Sequence, residues 1–382
     1  MLLLDGLRVL DFSRVLAGPL ATQILGDLGA EVLKVEPPGG DETRRWGPPF
    51  QGETAAYFHS ANRNKASLVL DLRQARGQER ARQLIAVADV VVDNYRPATR
   101  RRLGLSAAEL HRLRPDLVAV SITGFRGSRE DEAAYDLVLQ AESGFMGMTG
   151  PVAGQPHRVG VAVVDVLTGM MAANAVLAAL VRRGRTGAGA ALSVSLLQTA
   201  LFSLVNVATN HLASGEPTRR WGNDHPNLVP YGAFRLADGP VVIAVGSDEQ
   251  FRRLLAVLGV ADSALAALGN AERVRRRREV VAVLQSALSS RRRDELLAAL
   301  AAADVPAAPV LRPDEALARA RRCDGSAVLA LAHPRLGVVE VPDNPIAGEG
   351  SRQHHRAPPL LGEGGEDLAR RWLEPTSGNR RL

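Results

Sequence analysis

Asp165 is the residue whose type and setting could do chemistry. It stands between a strand-like apolar run, 159–164, and an apolar helical run. An aspartate there reads first as a helix N-cap, which stabilises by ~1 kcal/mol. It also reads as a nucleophile. A carboxylate at a helix N-terminus is held ionised by the dipole and the free N–H groups, so it can attack without first losing a proton. The two readings are compatible. His354-His355 is an adjacent pair with no carboxylate pattern beside it, so no metal site is expected. There is no Walker A sequence, no Gly-x-Ser-x-Gly elbow, no His-Glu-x-x-His and no paired Cys-x-x-Cys. In Gly26-Asp27-Leu28-Gly29-Ala30-Glu31 the glycines fall at the end of a helix rather than before its start. A nicotinamide cofactor is therefore not expected.

The elements that must position Asp165 alternate strand and helix. Residues 8–12 read as a buried strand, Gly18-Pro19 opens a helix that stops near Gly29, and 31–35 is the next strand. Strands at 67–72, 89–93 and 117–122 and helices at 77–87 and 107–113 continue the pattern. An open, mainly parallel α/β sheet of Rossmann-like topology follows, with ligands at the carboxyl ends of its strands. A long helix is expected over 165–183, a hairpin around Asp238-Gly239, a strand pair over 333–343 and a polar C-terminal tail. The domain reading is a large domain over 1–200 completed by 326–382, a linker over 201–224, and a small α/β domain over 225–325.

Composition narrows the class. The chain has 382 residues, 46% of them hydrophobic, and a single cysteine, Cys323, so no internal disulfide can form. A cytoplasmic location and no secretion signal are expected. The apolar run 166–181 is shorter than the ~20 residues that span a bilayer, so no membrane contact is expected. The net charge of +6 resides largely in arginine runs at 275–278 and 291–293. These read as solvated helix faces or as contacts for phosphate-bearing ligands. No aromatic platform accompanies them, and nucleic acid is not an expected partner.

The stretch from Val9-Leu10-Asp11-Phe12-Ser13-Arg14-Val15-Leu16-Ala17-Gly18-Pro19 to Glu31-Val32-Leu33-Lys34-Val35-Glu36 resembles the N-terminal signature of class III CoA-transferases, the CaiB/BaiF type that includes formyl-CoA transferase. The likeness recurs at Asn62-Arg63-Asn64-Lys65, at Asp93-Asn94-Tyr95-Arg96-Pro97, at Arg102-Leu103-Gly104 and at Ala134-Tyr135-Asp136. It continues at Asp165 with Thr168-Gly169, at Gly222-Asn223, and at Ala357-Pro358 through Glu363. The resemblance implies an interlocked homodimer, coenzyme A as substrate, no metal, and Asp165 as the nucleophile that passes through mixed anhydrides and an aspartyl-CoA thioester. It implies that Leu16 and Ala17 approach the pantetheine or adenosine, and that Asn64, Lys65, Asn94, Tyr95 and Arg96 line the nucleotide. Arg102 would pair with a phosphate, Leu103 would cover the adenine, and Tyr135 and Asp136 would sit at the thioester end.

Arg14, Arg44 and Arg158 are candidate clamps for the acceptor carboxylate. Glycine-rich segments 144–154 and 222–227 are candidates for oxyanion donors. Two other functions are weighed. An acyl-CoA racemase or epimerase of the same family would have a Gly-His-Asp motif where this chain has Ala134-Tyr135-Asp136. A non-catalytic CoA-binding protein would have no need of Asp165.

Overall fold

In the computed structural model, which describes residues 1–323 and 327–374, the first apolar run is a strand with no exposed face. β1 (Arg8–Asp11) is buried at every position, as a central strand covered on both sides must be. α1 (Ala17–Asp27) leads back to β2 (Glu31–Glu36). The unit repeats through β3 (Lys65–Val69), α2 (Ala75–Val87), β4 (Val90–Asp93), α3 (Ala107–Leu113) and β5 (Val118–Thr123). α4 (Asp136–Glu142) and α5 (Val163–Thr186) precede β6 (Ala190–Ser195). All six strands run parallel in the order β3-β2-β1-β4-β5-β6. This is the strand order of a Rossmann sheet, and its direction reverses between β1 and β4, where such sheets take their ligands.

The chain forms two compact units. One holds Met1–Phe145, Val159–Val205 and the chain from Arg321 onward. The other holds Met146–Arg158 and Asn206–Ala320. In the second, an antiparallel sheet of Tyr231–Leu236, Gly239–Ala244 and Ala307–Pro309 packs with helices around Phe234, Val241, Ile243, Phe251 and Leu254.

Four local expectations change. Residues 201–224, read as a linker, contain the helix Val205–Ser214. Its apolar Leu212 is exposed, so no burial pattern announces it. The C-terminal segment is not a plain polar tail, because Gly365–Leu373 is a helix. Its Leu368, Ala369 and Trp372 enter the sheet core while Glu366, Asp367, Arg370 and Arg371 face out. A side chain at Gly365 would put a Cβ 2.0 Å from the Ser67 carbonyl oxygen, so only glycine starts the helix there. The last strand pair begins earlier, at Val328–His333 and Gly337–Pro342. Residues 326 and 375–382 of the expected C-terminal return lie outside the described residues. Finally, α5 extends past the run 166–181. By length and composition it could cross a membrane, at 24 residues and mean hydropathy 1.8. Its Val164, Thr168, Ala172, Val176 and Ala179 stripe is buried, however, and it packs on α1 and β5.

Charge is buried beneath the switch between β1 and β4. Lys65 Nζ meets Asp11 Oδ2 at 3.1 Å, the Pro19 carbonyl at 2.7 Å and Asn62 Oδ1 at 3.0 Å. Lys34 Nζ meets Asp41 Oδ2 at 3.0 Å and the Ser13 carbonyl at 2.8 Å. Burial alone would raise the Asp11 carboxyl. Lys65 and Lys34, with the Ser13 and Thr22 hydroxyls, outweigh it and bring the pKa from 3.8 to about 2. Burial brings the Lys65 ammonium down to about 8, with Asp11 opposing and Lys34 adding to the fall. The asymmetry follows from the partners: Asp11 has two cations and two hydroxyls, whereas Lys65 has a second cation nearby. A depressed carboxyl lends stability that is present above its unfolded pKa and lost as pH falls towards 2, in total about 2 kcal/mol. Urea unfolding at pH 5 and pH 3 should therefore show a smaller acid loss for Asp11→Asn than for wild type. Equal losses would remove Asp11 from the acid transition.

Candidate active site

The loop after β1 is held in an unusual backbone state. Val15 has φ +69°, a left-handed conformation that costs a β-branched residue ~1–3 kcal/mol. Its neighbours fix it there. The Val15 N–H donates to the Asp41 carboxylate at 3.3 Å, and the Arg14 N–H donates to Asn94 Oδ1 at 2.9 Å. Asn94 Nδ2 donates in return to the Arg14 carbonyl at 2.7 Å. This turn delivers Leu16 and Ala17 to the head of α1, where both side chains are buried. α5 crosses α1 at this point. A Cβ on Gly169 would lie 2.6 Å from the Ala17 carbonyl oxygen, so glycine permits the approach. Asp165 sits one turn earlier on α5.

Asp165 is the third residue of α5 and not its N-cap. Ala162 holds the cap position and offers no side-chain acceptor. The cap comes from α4. Asp136 Oδ1 accepts the N–H groups of Val164 at 2.8 Å and Asp165 at 3.2 Å. Asp136 Oδ2 accepts Gln140 Nε2 at 2.6 Å, and Gln140 Oε1 accepts the Val159 N–H at 2.9 Å. The Val163 N–H bonds to the Val161 carbonyl. The first three N–H groups of the helix are thus occupied, which overturns the expectation that they hold Asp165 ionised. Burial first, and then the charge of Asp136, push Asp165 from 3.8 up to about 7.

Tyr57, in the short helix Ala56–His59, belongs to this site and was not anticipated from the sequence. Its phenol is raised by burial and then by the charges of Asp165, Asp136 and Asp41. Trp46 meets it edge-on, ring centroids 5.3 Å apart. The chain has only three tryptophans and four tyrosines, and that scarcity was the available signal.

At the β1–β4 switch lies a cleft of about 810 Å³, lined among others by Arg14, Tyr95, Arg96, Arg102, Leu103 and Tyr135. The cleft distinguishes Arg102 from its neighbours. Arg100 pairs with Asp93 at 3.3 Å and Arg101 with Asp131 at 3.7 Å. Among the described residues no carboxylate pairs with Arg96 or Arg102. Asn94 also borders the cleft, but its amide is spent on the Arg14 peptide.

Three expected contacts fall elsewhere. Lys65 is fully buried with three acceptors around its ammonium. Asn64 bonds Asp27 Oδ1, His355 Nδ1 and the Arg356 N–H. Neither faces the cleft, because the interior uses their polar atoms. Arg44 is not a free clamp either. It makes a buried two-point pair with Glu36, at 2.8 and 2.7 Å, and lies over the Phe58 ring. Arg14 reaches the cleft while pairing with Glu42 at 3.2 Å. Arg158 belongs to the second unit, as does the glycine-rich segment from Met146, where Arg220 holds the Pro151 and Gly154 carbonyls. Among the described residues no group of three His, Cys, Asp or Glu side chains could hold a metal ion.

The profile of CoA-transferase family III matches residues 4–364. The succinate–glutarate CoA-transferase of Agrobacterium fabrum is 43% identical over 82% of this chain and 82% of its own length. The mouse succinyl-CoA:glutarate CoA-transferase is 37% identical over 94% of this chain and 84% of its own length. The crystal structure of a CaiB/BaiF family protein from Brucella suis superposes with a TM-score of 0.83 at 37% identity, covering 97% of this chain and 99% of that one.

Proposed function

From the premise that this chain belongs to CoA-transferase family III and is a CoA-transferase, we propose that it works through covalent intermediates on Asp165, with succinyl-CoA as donor and a dicarboxylic acid such as glutarate as acceptor. Asp165 carries the reading: it is a part-buried carboxylate in the first turn of α5, one turn before Gly169, which packs on the Ala17 carbonyl at the head of α1. The substrates are suggested by the names of the 43% and 37% identical relatives.

The chemistry balances step by step. The Asp165 carboxylate attacks the thioester carbonyl, and the C–S bond breaks to give a succinyl–aspartyl anhydride and CoA thiolate. The thiolate attacks the aspartyl carbonyl, releasing succinate and leaving an aspartyl-CoA thioester. The acceptor carboxylate attacks that carbonyl and expels the thiolate, giving a second anhydride. Thiolate attack on its acceptor carbonyl then forms the new acyl-CoA and returns the Asp165 carboxylate. A carboxyl poised near neutrality is more basic than an ordinary one, and a more basic carboxylate is the better nucleophile once ionised.

The cleft suits the phosphate-bearing end of CoA. Arg45, Arg96 and Arg102 are the cleft arginines without a carboxylate partner among the described residues, and Leu103 and Tyr95 offer apolar cover. Arg102→Ala should raise KM for succinyl-CoA about tenfold with kcat little changed, since a charged hydrogen bond contributes ~1.5–3 kcal/mol before solvent screening. The effect should shrink at 0.5 M salt. A lowered kcat at unchanged KM would move Arg102 out of the CoA site.

The proposed assembly is a homodimer. Met170, Met171, Leu201 and Phe202 are exposed apolar side chains of the first unit, and a second copy would cover them. Sedimentation of a single-chain species at micromolar concentration would exclude it.

The test of function uses purified protein in heavy water with succinyl-CoA and a panel of carboxylates, products being read by mass spectrometry. New acyl-CoA species without deuterium are expected and name the acceptor. Deuterium at the α-carbon without a new thioester would instead establish epimerisation.

A further inference from the structure

Asp136 touches the helix of Asp165 more closely than any other acidic group among the described residues, and the reaction written above gives it no task. Its Oδ1 holds the Val164 and Asp165 N–H groups, and Gln140 fixes its Oδ2. It is buried, whereas Tyr135 beside it is exposed to the cleft. A carboxylate this committed to backbone donors has little left for a thioester, contrary to the role the family resemblance suggests.

We propose that Asp136 is the positioning residue of the nucleophile: it fixes the first turn of α5 and takes for itself the N–H groups that would otherwise solvate the Asp165 carboxylate. The proposal rests on Asp165 being the nucleophile. Sequence neighbours cannot substitute for Asp136, because the cap position is an alanine.

The charges around Asp165 are few. From α4 comes Asp136, and from the short helix before β3 comes the Tyr57 phenol, which also feels Asp41. α1 presents Ala17, Gly18 and Pro19 at this end, and its Asp27 lies at the far end, paired with Arg63. The helix Leu196–Phe202, which packs on α5, has no charged residue. No cation draws the Asp165 carboxyl back down. Burial and Asp136 therefore act alone on Asp165, and they act in the same direction.

The consequence is an acid limb. The nucleophile works ionised, so kcat/KM should rise with pH through about 7. Asp136→Asn keeps an oxygen for the two N–H groups and removes the charge. Its acid limb should move down by at least about one pH unit, so that the fraction of plateau activity retained at pH 6 rises severalfold. The plateau itself should fall, because the less basic carboxylate attacks more slowly. Asp136→Ala loses cap and charge together and should lose turnover at every pH, with Asp136→Asn recovering part of it. A merely structural Asp136 would leave the limb of Asp136→Asn where wild type has it, and that result would overturn the proposal.

A readout without turnover covers the case in which the variants do not fold. The carboxyl stretching band present in wild type and missing in Asp165→Asn should titrate at about 7. Titration in the ordinary range near 4 would overturn the proposal. The same band should titrate lower in Asp136→Asn, and a band left unmoved there would assign the shift to burial alone and overturn the proposal. A lowered band in a protein whose Asp165→Asn variant still transfers CoA would leave the electrostatic coupling standing and remove Asp165 as nucleophile, so the two ideas fail separately.

Discussion

Asp165→Ala should abolish CoA transfer, with kcat lower by ~10⁴-fold or more, while succinyl-CoA still binds. The size of the effect follows from the chemistry. Every step of the proposed cycle forms or breaks a bond at this carboxyl, and no neighbouring residue can take its place. Asp136 is the other acid of the site, but its oxygens are bonded to the Val164 and Asp165 N–H groups and to Gln140. The Tyr57 phenol is raised above its usual value by burial and the surrounding carboxylates, so it stays protonated and cannot attack. Direct observation is available as well. Wild type incubated with succinyl-CoA and no acceptor should gain the mass of CoA less one water, as a thioester at Asp165, and hydroxylamine should remove it. An alanine variant within tenfold of wild type, or an adduct on another residue, would sink the covalent reading.

Binding and chemistry should separate cleanly in this variant. The cleft groups proposed for the CoA phosphates, Arg96 and Arg102, come from the segment after β4. Asp165 comes from α5, and each element touches the β1–α1 loop separately: Asn94 through the Arg14 peptide, and Gly169 at the Ala17 carbonyl. That loop is also where the sequence was most legible. Buried strands announce themselves by short apolar runs, Val9-Leu10 in β1 and Val90-Val91-Val92 in β4, and the turn residues between them are unmistakable. α4 was not legible, because its pattern is inverted: Asp136 and Gln140 are buried while Leu137 and Val138 are exposed. A helix that turns its polar side inward to cap another helix has no hydrophobic stripe to reveal it. The partners of Asn64 were hidden for a related reason. Polar residues in a motif suggest a ligand, and only the folded chain shows that Asp27 and His355, 37 and 291 positions away, use them up. The charge state of Asp165 was misread from sequence because its cap lies 29 positions upstream.

The same kind of long-range polar bonding makes Lys34 the residue whose loss should cost most in stability. Its side chain is fully buried, and its ammonium lies between Asp41 and the Ser13 carbonyl. Burial opposes the charge, but Asp41, Asp11 and Glu36 together outweigh it and raise the pKa of Lys34. Lys34→Met would leave those carboxylates short of a cation in a region closed to water, at a cost of ~3–5 kcal/mol. That is a large share of the ~5–15 kcal/mol that keeps a domain folded. The effect should reach the site before the fold fails. Asp41 receives the Val15 N–H, and once it is no longer held by Lys34 the left-handed turn at Val15 loses one of its restraints, leaving the Asn94 bonds to the Arg14 peptide. Succinyl-CoA should then bind more weakly even at temperatures where the variant remains folded. Adding Asp41→Leu separates the two effects. With both charges gone the interior should regain part of its stability, yet the Val15 N–H would still lack its acceptor, and binding should not recover. Urea unfolding at pH 7 and titration with succinyl-CoA read the two quantities independently. Lys34→Met within about 1 kcal/mol of wild type would show that the buried network does not hold this part of the sheet together. Recovery of binding in the double variant would show that the Asp41 contact does not hold the loop.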